Sequence, residues 1–129
     1  MFSAGVSRPL RARHYLPSAG PGEQDPHSHP YQVEWICFTS DLDAHGYAVD
    51  IAAMCRILES ELAKIDNVLL NDLPFFADVP PSLEQLSRYL AQRLTTGIQQ
   101  LSSQIPERME LRIHESDSEW AGYTWELPQ

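Results

Sequence analysis

The sequence predicts an α+β fold, a four-stranded antiparallel sheet with two helices packed on one face. Three observations carry this expectation. Apolar and polar residues alternate with period two near both ends of the chain. Stripes of helical period fill its middle. The resulting order, β-β-α-α-β-β, lacks the strand-helix-strand alternation of a parallel sheet. With 129 residues there is chain for one substantial core, and residues 1–129 are read as a single domain.

The elements follow in order. Leu10, Ala12, His14 and Leu16 share one face of a first strand, and Arg11 and Arg13 share the other. His14 should therefore face inward. Pro17 to Pro26 is dense in Pro, Gly and Ser, a loop composition. His27 to Thr39, rich in Tyr, Val, Trp, Ile and Phe, is the second strand. On it His27, His29, Tyr31, Val33 and Trp35 share a face. A turn from Asp41 to Gly46 leads to Asp50, an N-cap residue. Ile51, Met54, Leu58, Leu62 and Ile65 then mark a helix running to about Asp66. Residues 67–81 are irregular, with Pro74, Pro80 and Pro81. Ser82 and Gln85 form the S-x-x-Q pattern of a capping box. Leu83, Leu86, Leu90, Leu94, Ile98 and Leu101 stripe the second helix. Met109, Leu111 and Ile113 alternate as a third strand, and Trp120 to Leu127 is the last. Four strands in an open sheet leave two edges, which assembly of subunits into a closed ring would cover.

Composition narrows the function. Nine Lys+Arg stand against eighteen Asp+Glu, for a net charge of −9. Such a surface repels phosphate backbones and anionic lipid, so nucleic-acid and membrane-surface roles are not expected. Two cysteines, Cys37 and Cys55, make no disulfide framework, and a reducing, cytoplasmic setting is expected. Arg8, Arg11 and Arg13 with no acid before Glu23 have some character of a transit segment, but the alternation reads better as a strand.

The chemistry-bearing residues cluster by position. His27 and His29 at i, i+2 on a strand point to one side. A hairpin across the Pro/Gly loop would bring His14 beside them. Three imidazoles holding one ion and leaving a fourth position open would be the pattern of a catalytic zinc. An H-x-H in a chain with five histidines also arises without a metal, and the pattern leaves both readings open. Among many carboxylates, Glu23 precedes the H-x-H pair, Asp66 ends the first helix, and Glu115 ends a strand. A strand-end carboxylate can accept two hydrogen bonds from an amidine-like edge, as in a pterin or guanine.

Read in order, these pieces resemble the 6-pyruvoyltetrahydropterin synthase / 6-carboxytetrahydropterin synthase family, of the tunnelling or T-fold class. Residues 11–16 are similar to the family's F-x-A-A-H-x-L, and residues 27–34 to its H-G-H-x-Y-x-V. Residues 46–50 resemble G-M-V-x-D, residues 65–72 L-D-H-x-x-L-N-D, and residues 81–84 P-T-x-E. Glu115 followed by Tyr123 resembles the closing E-T…Y. The resemblance implies that His14, His27 and His29 hold Zn2+ and that Glu115 anchors a pterin ring, with Ser82 and Glu84 also toward the substrate. Glu23 and Asp66 stand at catalytic positions. It further implies a homohexamer, a dimer of trimers closing a β-barrel, with sites shared between subunits. The implied reaction is that of a lyase on 7,8-dihydroneopterin triphosphate, giving 6-carboxytetrahydropterin on the way to queuosine. Departures fall at chemical positions. The family's cysteine, four residues before H-G-H, is Glu23 here, and the histidine of L-D-H is Asn67. A subgroup with a glutamate near the first position makes 6-hydroxymethyl-dihydropterin instead. A third implied outcome is a pterin- and metal-binding paralogue without turnover.

Overall fold

The computed structural model describes residues 1–16, 20, 25–101 and 104–129. Its elements are β1 (Phe2–His14), β2 (His27–Thr39), α1 (Ile51–Ala63), α2 (Leu83–Gln99), β3 (Arg108–His114) and β4 (Trp120–Glu126). Two single 3-10 turns, Leu70–Asp72 and Pro74–Phe76, lie between the helices. The four strands form one sheet in the order β1-β2-β3-β4, every neighbour antiparallel. This is the α+β architecture that the alternating patterns predict.

One face of the sheet is apolar because its alternate positions are. Leu10 and Ala12 on β1, Val33, Trp35 and Cys37 on β2, and Met109, Leu111 and Ile113 on β3 are all buried. Met54, Leu58 and Leu62 of α1 and Leu86, Leu90, Leu94 and Ile98 of α2 complete the same core. Burying each of the Val, Leu, Ile and Met side chains contributes about 1.5–3 kcal/mol, so the shared face dominates the stability of the fold. Trp35 at its centre keeps its polar atom paired, Nε1 donating to Met109 Sδ at 3.2 Å. Burial also pushes the Cys37 thiol up to about 12, which makes it an inert part of the core. Among the described residues no helix packs on the opposite face, which bears Ser7, Gln32, Glu34 and Arg112.

Both helices start at the predicted residues. Asp50 accepts from the Ala53 N–H at 3.0 Å, and Ser82 accepts from the Gln85 N–H at 3.2 Å. The capping box at α2 is only half made: the Ser82 N–H donates to the Pro80 carbonyl instead of to Gln85. Trp125 Nε1 donates to Thr95 Oγ1 at 2.8 Å and ties β4 to α2.

Two boundaries differ from the sequence expectation. β1 begins at Phe2, not near Leu10, and pairs in unbroken register with β2 from Phe2 opposite Thr39 to His14 opposite His27. Ser3, Ala4, Gly5 and Ser7 are too small and polar to display the alternation. α1 ends at Ala63 rather than Asp66. Ile65 is buried like the helix residues, but it lies in the turn after the helix, where the Ile65 and Asp66 N–H groups both return to the Leu62 carbonyl. Apolar periodicity thus outlasts the helix. Among the described residues no helix is long and apolar enough to cross a membrane.

Candidate metal centre

The strand register assembles the histidines. His14 pairs directly with His27, and Ala12 pairs with His29. Directly opposed residues share a face of the sheet, and His29, two residues beyond His27, shares it too. The three rings therefore stand on the helix-bearing face, where β1 and β2 run past the apolar core. His14 is buried, and His27 and His29 are half-buried. One nitrogen from each lies within 4.8 Å of the others. Ring centroids are 4.6 Å apart for His14 and His27, and 4.7 Å for His27 and His29.

The arrangement suits a metal ion. His27 Nδ1 lies 2.8 Å from the Asp25 carbonyl oxygen, which can only accept, so Nδ1 carries the proton. Nε2 is then the atom presented for ligation. An outer hydrogen bond that sets tautomer and ring orientation is a regular feature of metal-binding histidines. Three neutral imidazoles are a donor set for zinc and similar divalent ions.

A cavity of about 630 Å³ adjoins the triad. His14, His29 and Tyr31 line its side toward the hairpin of β1 and β2. Ser82, Leu83 and Glu84, the first residues at α2, line a second side. The turn between β3 and β4 closes a third with Glu115, Ser118 and Glu119. This turn holds itself. The Glu119 carbonyl accepts from the Glu115 N–H at 3.0 Å. Ser116 Oγ donates to Glu119 Oε1 at 3.2 Å and accepts from the Ser118 N–H at 3.3 Å. The volume is that of a small-molecule site.

Three of the other residues singled out from sequence thus meet two of the three histidines in one place: His14 and His29 with Ser82, Glu84 and Glu115. Asp66 does not join them. It is exposed, and its Oδ1 accepts from the Arg11 N–H at 3.0 Å. Asn67, at φ 59°, donates its N–H to the Arg11 carbonyl at 2.7 Å. The pair acts as a clip on the outer edge of β1. Glu23 lies outside the described residues. Sequence reading passed over Tyr31 and Glu119. Tyr31 was detectable as the next inward position after His29, whereas Glu119 is one surface carboxylate among many until the turn is seen.

The model of the 6-pyruvoyl tetrahydropterin synthase family matches residues 5–126. The chain belongs to this family. Solved structures share its fold. The 6-pyruvoyl tetrahydropterin synthase of Plasmodium falciparum is 17% identical, with a TM-score of 0.75 over 97% of this chain and 99% of that one. The Plasmodium vivax protein of the same name is 16% identical, with a TM-score of 0.74 over 98% and 100%. A variant of the latter, described as a catalytic-residue mutant with glutamate replaced by cysteine, is 14% identical, with a TM-score of 0.72 over 98% and 100%. No curated protein matches the sequence. 6-Pyruvoyl tetrahydropterin synthase family members are pterin-handling lyases that generally use a divalent metal and form oligomers. The histidine triad is a place for such a metal in this chain.

Proposed function

We propose that this chain is a zinc-dependent pterin lyase acting on the C6 side chain of a 7,8-dihydroneopterin. The observation that carries the reading is the convergence of a three-histidine centre and a strand-end carboxylate, Glu115, on one cavity of small-molecule size. Bound zinc would supply Lewis-acid polarisation of the side-chain oxygens. His14, His27 and His29 would hold it. Glu115 would accept two hydrogen bonds from the amidine-like edge of the ring, fixing its orientation. Ser82 and Glu84, at the start of α2, would border the substrate. Glu23, four residues before His27, would take a proton from the side chain. Asp66 is remote from the cavity of its own chain, so it enters this reading as the contribution of a neighbouring subunit in a homohexamer. The outer strands β1 and β4 are the edges through which such a ring would close.

The family resemblance favours 7,8-dihydroneopterin triphosphate as substrate and 6-carboxytetrahydropterin as product. One observation favours a second outcome, cleavage to 6-hydroxymethyl-dihydropterin. Glutamate stands here in place of the family's cysteine, and a glutamate is named as the catalytic residue of the Plasmodium vivax protein. Incubating zinc-loaded protein with each of the two dihydroneopterins, and identifying products by mass spectrometry, separates the outcomes. Either product supports the lyase reading and names the reaction. No product from either substrate contradicts it, and retained pterin binding in that case would leave a binding paralogue.

A further inference from the structure

The hairpin that carries the histidines ends on two of them. The ladder between β1 and β2 stops at the rung that pairs His14 with His27. Ladder ends fray unless something beyond the last rung holds the chain. Three imidazoles meet one ion only if each keeps its direction. His27 has the Asp25 carbonyl on its Nδ1 at 2.8 Å to set its ring. The direction of His14 depends on the backbone that follows it.

Along the end of β1 every second residue turns its backbone groups to the outer edge, and the segment after α1 meets each in turn. Arg11 is met by the Asp66 carboxylate and the Asn67 N–H, and Arg13 forms a parallel bridge with Leu69. Asn71 closes this strip. Its Oδ1 accepts from the Tyr15 N–H at 3.0 Å, and its Nδ2 donates to the Tyr15 carbonyl at 3.1 Å. A side-chain amide has the donor and the acceptor of a peptide group, so Asn71 pairs with Tyr15 as a strand residue would. Two bonds to one residue fix both peptide groups that flank it. Tyr15 stands between His14 and Leu16, and both of these line the cavity.

Asn71 is itself well anchored. It is the middle residue of the 3-10 turn Leu70–Asp72, whose Leu70 is buried in the core. The Asp72 N–H donates to the Leu69 carbonyl and the Leu73 N–H to the Leu70 carbonyl, both at 3.0 Å. The clamp on Tyr15 is therefore tied to the core and not to a loose surface group.

We propose, on the reading above that the three histidines hold a metal ion, that Asn71 is a positioning residue of the metal centre. Its amide fixes the extended backbone after His14 and through it the direction of the His14 imidazole. Asn71 touches neither the ion nor the cavity side of the ring.

The test is metal titration of the full-length protein against a chromophoric chelator, with visible spectra of the Co2+-loaded form, whose bands report ligand geometry. Asn71→Ala should lower Zn2+ affinity about tenfold and shift the Co2+ bands. Glu107→Ala is the comparison, because Glu107 makes a similar two-point clamp at the far end of the hairpin. Its Oε1 and Oε2 accept from the Ser40 N–H and Oγ–H, each at 2.8 Å. Glu107→Ala should lose stability in urea unfolding and leave metal affinity and spectrum unchanged. An unchanged affinity and spectrum in Asn71→Ala would overturn the proposal. Equal changes in Glu107→Ala would overturn it too, since the effect would then be one of stability alone. Should Asn71→Ala fail to fold, Asn71→Asp keeps the shape and the acceptor for the Tyr15 N–H and loses only the donor. It should shift the Co2+ bands in the same direction, and an unshifted spectrum would overturn the proposal. Zn2+ affinity that survives His27→Ala would instead overturn the metal reading on which the proposal rests.

Discussion

The hairpin of β1 and β2 and the segment after α1 both carry residues that the sequence marks as chemical, yet they meet different fates. On the hairpin, His14, His27 and His29 converge because strand register leaves them no alternative. After α1, Asp66 and Asn67 point their bonding groups at the Arg11 backbone, not at the metal centre. A side chain on a paired strand has its direction set by the pleat. A side chain in a turn takes whichever partner its backbone brings near, and here that partner is a strand edge with unpaired polar groups. The Asp66 carboxylate thus does structural work on a strand edge of its own chain and does not line the cavity beside the histidines.

This comparison can be broken or sharpened by substitution. The largest effect is expected at the hairpin. His27→Ala removes a ligand and should lower zinc affinity by more than about a hundredfold, measured by metal titration against a chromophoric chelator. Full zinc retention would break the assignment. Glu115→Ala should weaken pterin binding by about 10- to 100-fold, the worth of a charged hydrogen-bonded pair, without moving zinc affinity. Asp66→Ala should cost about 1 kcal/mol of stability through the lost bond to Arg11, seen in urea unfolding, while bound zinc is unchanged. Loss of turnover with no loss of stability would instead mark Asp66 as the neighbour's catalytic group. Asn67 gives an effect of similar size, confined to stability. Asn67→Ala should cost about 1 kcal/mol because φ 59° disfavours a residue with a plain Cβ, and Asn67→Gly should be near neutral.

The legible part of the molecule is the part governed by periodicity. Leu10, Ala12 and His14 announced a strand face, and Met54, Leu58 and Leu62 a helix face, because burial imposes the pattern directly. Both N-caps were legible because Asp50 and Ser82 are chemically suited to bare N–H groups. The first half of β1 was hidden because Ser3, Ala4 and Gly5 carry little hydropathy contrast, and its pairing depends on β2 alone. The end of α1 was overrun because Ile65 keeps the apolar spacing after the helical hydrogen bonds stop. In the site, the three histidines were legible from one strand pattern and one hairpin. The wall was less so: Glu119 reaches the cavity through a turn whose shape depends on Ser116, a contact with no sequence period. Glu115 stood out by its place at a strand end, and the resemblance to known pterin synthases added Ser82 and Glu84; the folded chain brings all three to the same cavity as His14 and His29.

The central claim is that one metal ion and one pterin ring occupy adjoining positions at the end of the β1–β2 hairpin. Crystals of zinc-loaded protein soaked with neopterin, with data recorded on both sides of the zinc absorption edge, test it directly. The account predicts an anomalous peak among His14, His27 and His29, with the ring edge on the Glu115 carboxylate in the same cavity. Zinc bound elsewhere, or a ring seated away from Glu115, would contradict it.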